Sequence, residues 1–431
     1  MTAFGAAGDG VTNDTSAIQD AVDRCLRAGG GSVLLPAGKT FLAGSFDLRS
    51  NTELVVERGA RLIASAAEGD YPHRVFDSGP EDDKRVWIRS MDSESVAITG
   101  GGVIDGRCLE FVAEELPQKY RGVSWRPAMT CFTNCRRIRV QDVMLKDSAN
   151  WTLHFVGCED IVVHGVTIKN NMKFPNADGI DPDHCRNVRI SDCYIETGDD
   201  CICLKTTRPF IEFGPTENVT VTGCVLRSRS AAIKIGSESA SDIRNVVFDS
   251  CVIFGSHRGL GIQLRDEGDV ENIVFSNMVV ETHHFPGQWW GAAEPVYITA
   301  LHRSHGSPLG RIRNIRLANL ICRGENGIYL SGCEESILED VVLDNVRLEV
   351  AKWTEIDGGF YDRRPGVVGV VESVNAGLYI EHANRVTIRD SDLVWGANRQ
   401  PYFGPAMVSR HVSNLSLDGF DGKHAWLGDD D

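Results

Sequence analysis

Residues 176–200 read NADGIDPDHCRNVRISDCYIETGDD, and this stretch decides the fold. Its middle holds two short alternating runs, NVRI and CYIE, separated by Ser191 and Asp192, where the chain must bend. Alternation of apolar and polar residues over such runs reads as strands with one face buried and one exposed. The same pattern recurs at VQDVMLK (Val140), VHGVTIK (Val163), ISDCYIE (Ile190), VTGCVLR (Val221), FDSCVIF (Phe248), FSNMVVE (Phe275), LANLICR (Leu317) and LDNVRLE (Leu343). Successive starts are 23 to 31 residues apart, with one interval of 42. No helical periodicity lies between the units, so βα crossovers cannot join the strands. A coil whose turns each add strands to stacked parallel sheets meets these conditions. The expected fold is all-β, a right-handed parallel β-helix.

A second series supports this. Cys135, Cys158, Cys185 and Cys333 each precede an alternating run, as in NCRRIRV and GCEDIVV. Residues at one place in successive turns stack about 4.8 Å apart, so these cysteines are expected to form an inward column. Thirteen cysteines without zinc-like CxxC spacing read as reduced, buried small hydrophobes.

The whole chain, 1–431, is expected to be one β-helix domain. Residues 1–60 would form the cap and first turns, and 130–395 the regular turns, with long loops near 283–310 and 352–370. DTSAIQDAVDRCLRAGG is the one convincing amphipathic helix, with Thr15 or Ser16 as its cap, an apolar face of Ile18, Ala21, Val22 and Leu26, and a stop at Gly29 and Gly30. It would cover the open end of the coil, where an unprotected sheet edge invites pairing with other chains.

Composition narrows the function. The formal charge of −16 argues against nucleic acid, whose phosphates need clustered Lys and Arg, and mildly against a long polyanionic substrate. No apolar run approaches the length of a membrane span. The N-terminus has no basic segment followed by an apolar one. The expected location is the cytoplasm, or outside the cell if a signal has been removed. Neither a cofactor nor a metal is expected, although clustered carboxylates could in principle hold calcium. The expected partner is a carbohydrate, and a closed, capped coil is expected to be a monomer.

On the coil, Asp178 and the pair Asp199 and Asp200 fall about one turn apart and on one side. Like charges that close raise the pKa of at least one member, which supplies an acid beside ionised partners. Glycosidic hydrolysis needs that combination: an acid for the leaving oxygen and carboxylates to activate water. Adjacent strand residues point to opposite faces, so Asp199 and Asp200 can act together only if Gly198 opens a bend.

With these residues in view, the sequence resembles glycoside hydrolase family 28, the polygalacturonase-like hydrolases. Asn176-Ala177-Asp178-Gly179 is similar to the family's N-T-D-G signature, and Gly198-Asp199-Asp200-Cys201 matches its G-D-D-C signature in full. FGAAGDGVTNDTSAIQDAVD is similar to the N-terminal segment of bacterial members. The resemblance implies a pectin lyase-like solenoid. It also implies inverting hydrolysis, with Asp199 as general acid and Asp178 and Asp200 activating water. Two family motifs are absent. The histidine of G-H-G falls on Ala231, and the R-I-K that grips a galacturonate carboxylate falls on Gly261, Ile262 and Gln263.

Other residues are expected to face the substrate. Lys205, Lys234 and Arg265 point away from the core, as solvated charges or as ligands for a hydroxyl or carboxylate. His154, Asn176, Gln263, Trp289, Glu294 and Arg363 complete the candidate substrate-binding set, with Trp290, Tyr361, Asp362 and Arg364 in the same long loops. Loops over one end of a cleft favour removal of terminal sugars. The expected function is therefore exo-acting, inverting hydrolysis of a pectin-like or other plant-cell-wall glycan. The alternatives are a uronide lyase or epimerase, and a non-catalytic carbohydrate-binding solenoid.

Overall fold

The computed structural model describes residues 1–75, 83–287 and 289–426. The chain divides into two compact units, Met1–Asp199 and Asp200–Asp431. In the first unit, strands pair in parallel along three ladders. One runs from Phe46–Leu48 through Arg85–Met91, Pro127–Thr133 and Leu153–Val156 to Ile180–Asp183. A second reaches Arg186–Ser191 and a third Tyr194–Thr197, so NVRI and CYIE are strands of one turn.

In the second unit a ladder runs from Ile202–Thr206 through Ala231–Ser239, Arg258–Leu264, Val296–Ala300 and Ile328–Ser331 to Leu378–Trp395. Its inward column, Ile233, Leu260, Val296, Ile328 and Leu378, is buried, as is the parallel column Ile235, Ile262, Ile298, Leu330 and Ile380. Each such side chain contributes about 1.5–3 kcal/mol by leaving water. The bends between strands explain the recurring Asn. Asn218, Asn245, Asn272 and Asn314 all have φ near +57°, a left-handed conformation that Asn tolerates better than most residues. Their exposed amides form a ladder, with Asn245 donating to Asn218 at 3.2 Å and Asn272 to Asn245 at 3.0 Å.

Several expectations are corrected. The helix spans Thr15–Arg27, but Asp14 is its N-cap and makes no side-chain cap bond. The Asp14 carboxylate instead accepts from Ala7 and Gly8 N–H. Leu26 is exposed, and Ala17 takes its place on the buried face. Cys135, Cys158 and Cys185 are buried, with Cys135 N–H 3.4 Å from the Cys158 sulfur. Cys333 leaves this column, half-buried in a turn closed by Ser336. None of the thirteen cysteines forms a disulfide.

The long loops are also more structured than expected. The 283–310 stretch contains the ladder strand Val296–Ala300, and its residue 288 lies outside the described residues. The 352–370 stretch contains the strand Phe360–Asp362, which pairs antiparallel with Val370–Glu372.

Candidate active site

In the first unit, Asn176 and Asp178 sit on the segment that enters the strand Ile180–Asp183. That segment is fastened from three sides. Arg126 donates to Pro175 O at 2.5 Å, Ala149 O at 3.0 Å and Asn176 Oδ1 at 2.6 Å. Asn170 donates to Ala177 O at 3.0 Å, and Thr152 N–H to Asp178 O at 3.0 Å. Asn176 adopts φ +55° and turns its backbone N–H onto Asp199 Oδ2 at 2.9 Å. The two signatures therefore meet: one motif's backbone holds the other motif's carboxylate. A cavity of about 370 Å³, lined in part by Tyr120, Arg121, Arg126 and Asn176, opens beside this point.

Gly198 is required, although by close approach more than by a special dihedral. A Cβ there would lie 2.7 Å from Asn171 O and closer still to Phe174 O. Backbone carbonyls cannot rotate away, so Gly198→Ala must displace the turn that carries Asp199. The expected result is a loss of about 1–3 kcal/mol of stability together with a fall in kcat of about 100-fold from misplaced groups. Denaturant unfolding and initial rates measure the two effects.

In the second unit, Asp200 is 2 % exposed. Its Oδ1 accepts from Ala231 N–H at 3.0 Å, and its Oδ2 from the Lys234 ammonium at 2.7 Å. Burial disfavours its charge, but the Lys234 ammonium, with Lys205 and Ser230 behind it, outweighs burial and holds the carboxyl below the usual range. Asp200 is thus an ionised acceptor. Ala231, the position similar to the family's histidine, contributes only its backbone N–H. The positive charge beside Asp200 comes from Lys234, a residue that sequence pattern alone leaves on a solvated face.

This has a pH consequence. Lys234→Met would leave a buried carboxylate without its nearest cation, raising the Asp200 pKa. The ionised form is then lost at higher pH as pH falls, so the acid limb of a rate profile moves upward. Carboxyl ¹³C titration reads the shift directly, and an unmoved Asp200 resonance contradicts the assignment.

The remaining candidates separate into groups. His154 is fully buried, with Nε2 3.3 Å from Asp183, Nδ1 3.7 Å from the Cys131 sulfur and Trp151 edge-on at 4.6 Å. It is a packed structural ring, not a sugar contact. Lys205, Lys234 and Arg265 do point away from the core, yet all three are buried, so the solvated reading fails. Trp289 is buried with Arg229 over its ring and offers no open face for stacking, whereas Trp290 is exposed. Glu294 is fully buried and accepts from Arg258 Nε at 3.1 Å and Ala292 N–H at 2.9 Å. Arg363 pairs with Glu381 at 3.4 Å.

Sequence reasoning missed two groups. Arg126 and Arg258 lie outside any motif. Arg258 Cζ sits 3.7 Å above the Tyr297 ring, whose other face stacks on Tyr329 at 5.5 Å. In register, Lys234 lies opposite Gly261 and Gly261 opposite Tyr297. The guanidinium thus stacks on the ring of the residue that lies opposite Gly261 on the next turn. The second group is an outward stack of Tyr297, Tyr329 and Tyr379, with Tyr361 of the covering loop 4.3 Å from Tyr329. The signal was legible as a repeat, VYITA, IYLS and LYIE.

Parallel turns with aspartates at the strand entrances define a β-helix of the carboxylate-bearing kind. The chain belongs to glycosyl hydrolases family 28, whose model matches residues 42–355. It is 34% identical over 277 residues to a probable polygalacturonase of Vitis vinifera, covering 56% of this chain and 52% of that protein. It is 24% identical over 296 residues to an exo-poly-alpha-D-galacturonosidase of Dickeya chrysanthemi, covering 57% of this chain and 48% of that protein. The chain spans about half the length of the curated relatives it matches. Among solved structures it is similar to a hyperthermoactive exopolygalacturonase from Thermotoga maritima, with TM-score 0.70, 22% identity, and 98% and 92% of the two chains covered. A family 28 exopolygalacturonase of Yersinia enterocolitica gives 0.67 at 18% identity, over 98% of this chain and 77% of that one. These likenesses establish the right-handed parallel β-helix.

Proposed function

We propose that this protein hydrolyses glycosidic bonds of a pectin-like glycan with inversion, removing units from a chain end. One observation carries the reading: consecutive carboxylates stand in different surroundings. Asp199 is half-buried and takes a backbone N–H from Asn176, whereas Asp200 is buried and ionised against Lys234. Carboxyl groups in contrasting environments divide acid and base roles between them. Asp199 protonates the leaving oxygen, and Asp178 and Asp200 draw the proton from the attacking water.

Action from the end is supported by the roof over the tyrosine stack. Tyr297 and Tyr329 are fully buried beneath Tyr361 and Arg363, so a glycan cannot continue along that face. The named activities of the Dickeya and Thermotoga proteins agree with this direction. A lyase would need a cationic or phenolic base at the substrate, and Lys234 is engaged by Asp200. Incubation with defined oligogalacturonides and neutral oligosaccharides, read by NMR, tests the proposal. Single units released with inverted anomeric configuration are expected, and unsaturated products would replace hydrolysis with elimination.

A further inference from the structure

Cys333 is the cysteine that leaves the inward column, and its sulfur meets two other groups of the kind that bind metals. The Cys333 sulfur, a His302 ring nitrogen and a Glu335 carboxylate oxygen all lie within 4.8 Å of one another. His302 follows the ladder strand Val296–Ala300, while Cys333 and Glu335 follow Ile328–Ser331, which pairs with it on the next turn. His302 and Cys333 are half-buried and Glu335 is exposed, so the cluster opens to solvent. Because its members come from two successive turns, no CxxC-type spacing announces them.

The cluster is held in place by its own turns. His302 Nδ1 lies 2.7 Å from the Ser307 carbonyl, and a carbonyl only accepts, so Nδ1 carries a proton. Nε2 is left as the coordinating nitrogen, 3.6 Å from Glu335 Oε2. Metal-binding histidines are oriented in this way, by giving the other ring N–H to a carbonyl or carboxylate. Ser307 is fixed in turn, its N–H donating to Ser304 O at 3.0 Å. On the other side, Cys333 and Ser336 exchange backbone hydrogen bonds at 3.0 and 3.2 Å, and Ser336 Oγ donates to Gly310 O at 2.6 Å. A solvent-screened ion pair between His302 and Glu335 contributes little stability and gives no reason for a thiol beside it.

We propose that His302, Cys333 and Glu335 bind one zinc ion, with water in the fourth position. The ligand chemistry selects the metal: thiolate and imidazole suit zinc, whereas magnesium and calcium take oxygen. Zinc holds sulfur at about 2.3 Å and nitrogen or oxygen at about 2.0–2.2 Å, so the ligand atoms of a tetrahedral site stand about 3.3–3.7 Å apart. The separation of His302 and Glu335 already fits, and closing the rest takes about 1 Å of movement by the exposed Glu335 and the Cys333 side chain. Burial keeps Cys333 a thiol in the metal-free protein. On binding, its proton passes to solvent and the thiolate sulfur coordinates the ion. The ion fastens the loop after Val296–Ala300 to the following turn. His302 O accepts the Val367 N–H at 3.1 Å, so the same ion steadies the covering loop. The inference is independent of the hydrolase reading.

The test titrates the full chain, stripped with a chelator and dialysed, with Co²⁺ and then with Zn²⁺. A thiolate-to-cobalt charge-transfer band in the near ultraviolet is expected to saturate at one equivalent and to vanish as zinc, the tighter binder, displaces the cobalt. At a hundredfold excess over its Kd, zinc should raise the Tm by about 3 °C for a chain of this length. Cys333→Ser should abolish the band and weaken zinc binding about 100-fold or more, since outer-shell partners alone are worth about 10–100-fold. Cys25→Ser, at the other cysteine that is not fully buried, should keep both. Glu335→Gln, on an exposed side chain whose loss the fold tolerates, should keep the band and weaken zinc binding at least about tenfold. No band in the native chain, a band that survives Cys333→Ser, or a zinc affinity unmoved by Glu335→Gln would each overturn the site.

Discussion

Asp199→Asn is expected to lower kcat by about 10²–10⁴-fold, the usual contribution of a positioned general acid, while leaving the fold intact. An asparagine Oδ1 can still accept the Asn176 N–H that now reaches Asp199 Oδ2 at 2.9 Å. The loop keeps its anchor, and the Tm should stay within about 2 °C of the native value. What disappears is the proton for the leaving oxygen, so the loss must depend on the leaving group. A nitrophenyl glycoside departs without much protonation and should be hydrolysed far less unequally by the two proteins than a sugar–sugar bond. Paired rates on both substrates measure this. Equal losses on the two would sink the acid role, and normal sugar release by the variant would sink the whole catalytic assignment.

The fold was legible because strand alternation and the recurring turn residues act locally. NVRI and CYIE bury Val188, Ile190, Cys193 and Ile195 whatever lies elsewhere in the chain, and Asn at a left-handed bend is a property of Asn. Asp178, Asp199 and Asp200 stand out as candidates for the same reason, since contiguous motifs carry them. The supports of these residues were not. Arg126 reaches Asn176 across 50 positions, Arg258 reaches the Asp362 carbonyl across 104, and no local pattern encodes either contact. Alternation placed Lys234 and Arg265 outside the core correctly, but outside is not the same as solvated. Asp200 closes over the lysine and the 363–366 loop over the arginine. Long segments were misjudged where a ladder strand, Val296–Ala300, is buried at every position and so shows no alternation of buried and exposed residues.

Asp200→Asn should differ from Asp199→Asn in costing stability as well as rate. The Lys234 side chain is only 11 % exposed and faces the Asp200 carboxylate at 2.7 Å. Removing one member of a buried pair leaves an uncompensated charge and typically costs 3–5 kcal/mol, so the Tm should fall by several degrees. The rate should fall by about 10²–10⁴-fold as well, since a carboxamide cannot accept the water's proton. The double variant Asp200→Asn/Lys234→Met separates the two effects. It should recover most of the stability, because the Lys234 ammonium is no longer left stranded, and none of the activity. The pH dependence fixes the sign. The folded carboxyl titrates below its unfolded value of about 3.9, so its stabilisation is complete above that value and fades as pH falls through the folded pKa. The Tm gap between native protein and Asp200→Asn should therefore be widest near neutrality and close below about pH 4. A gap independent of pH would show that packing, and not the charge pair, holds Asp200 in place.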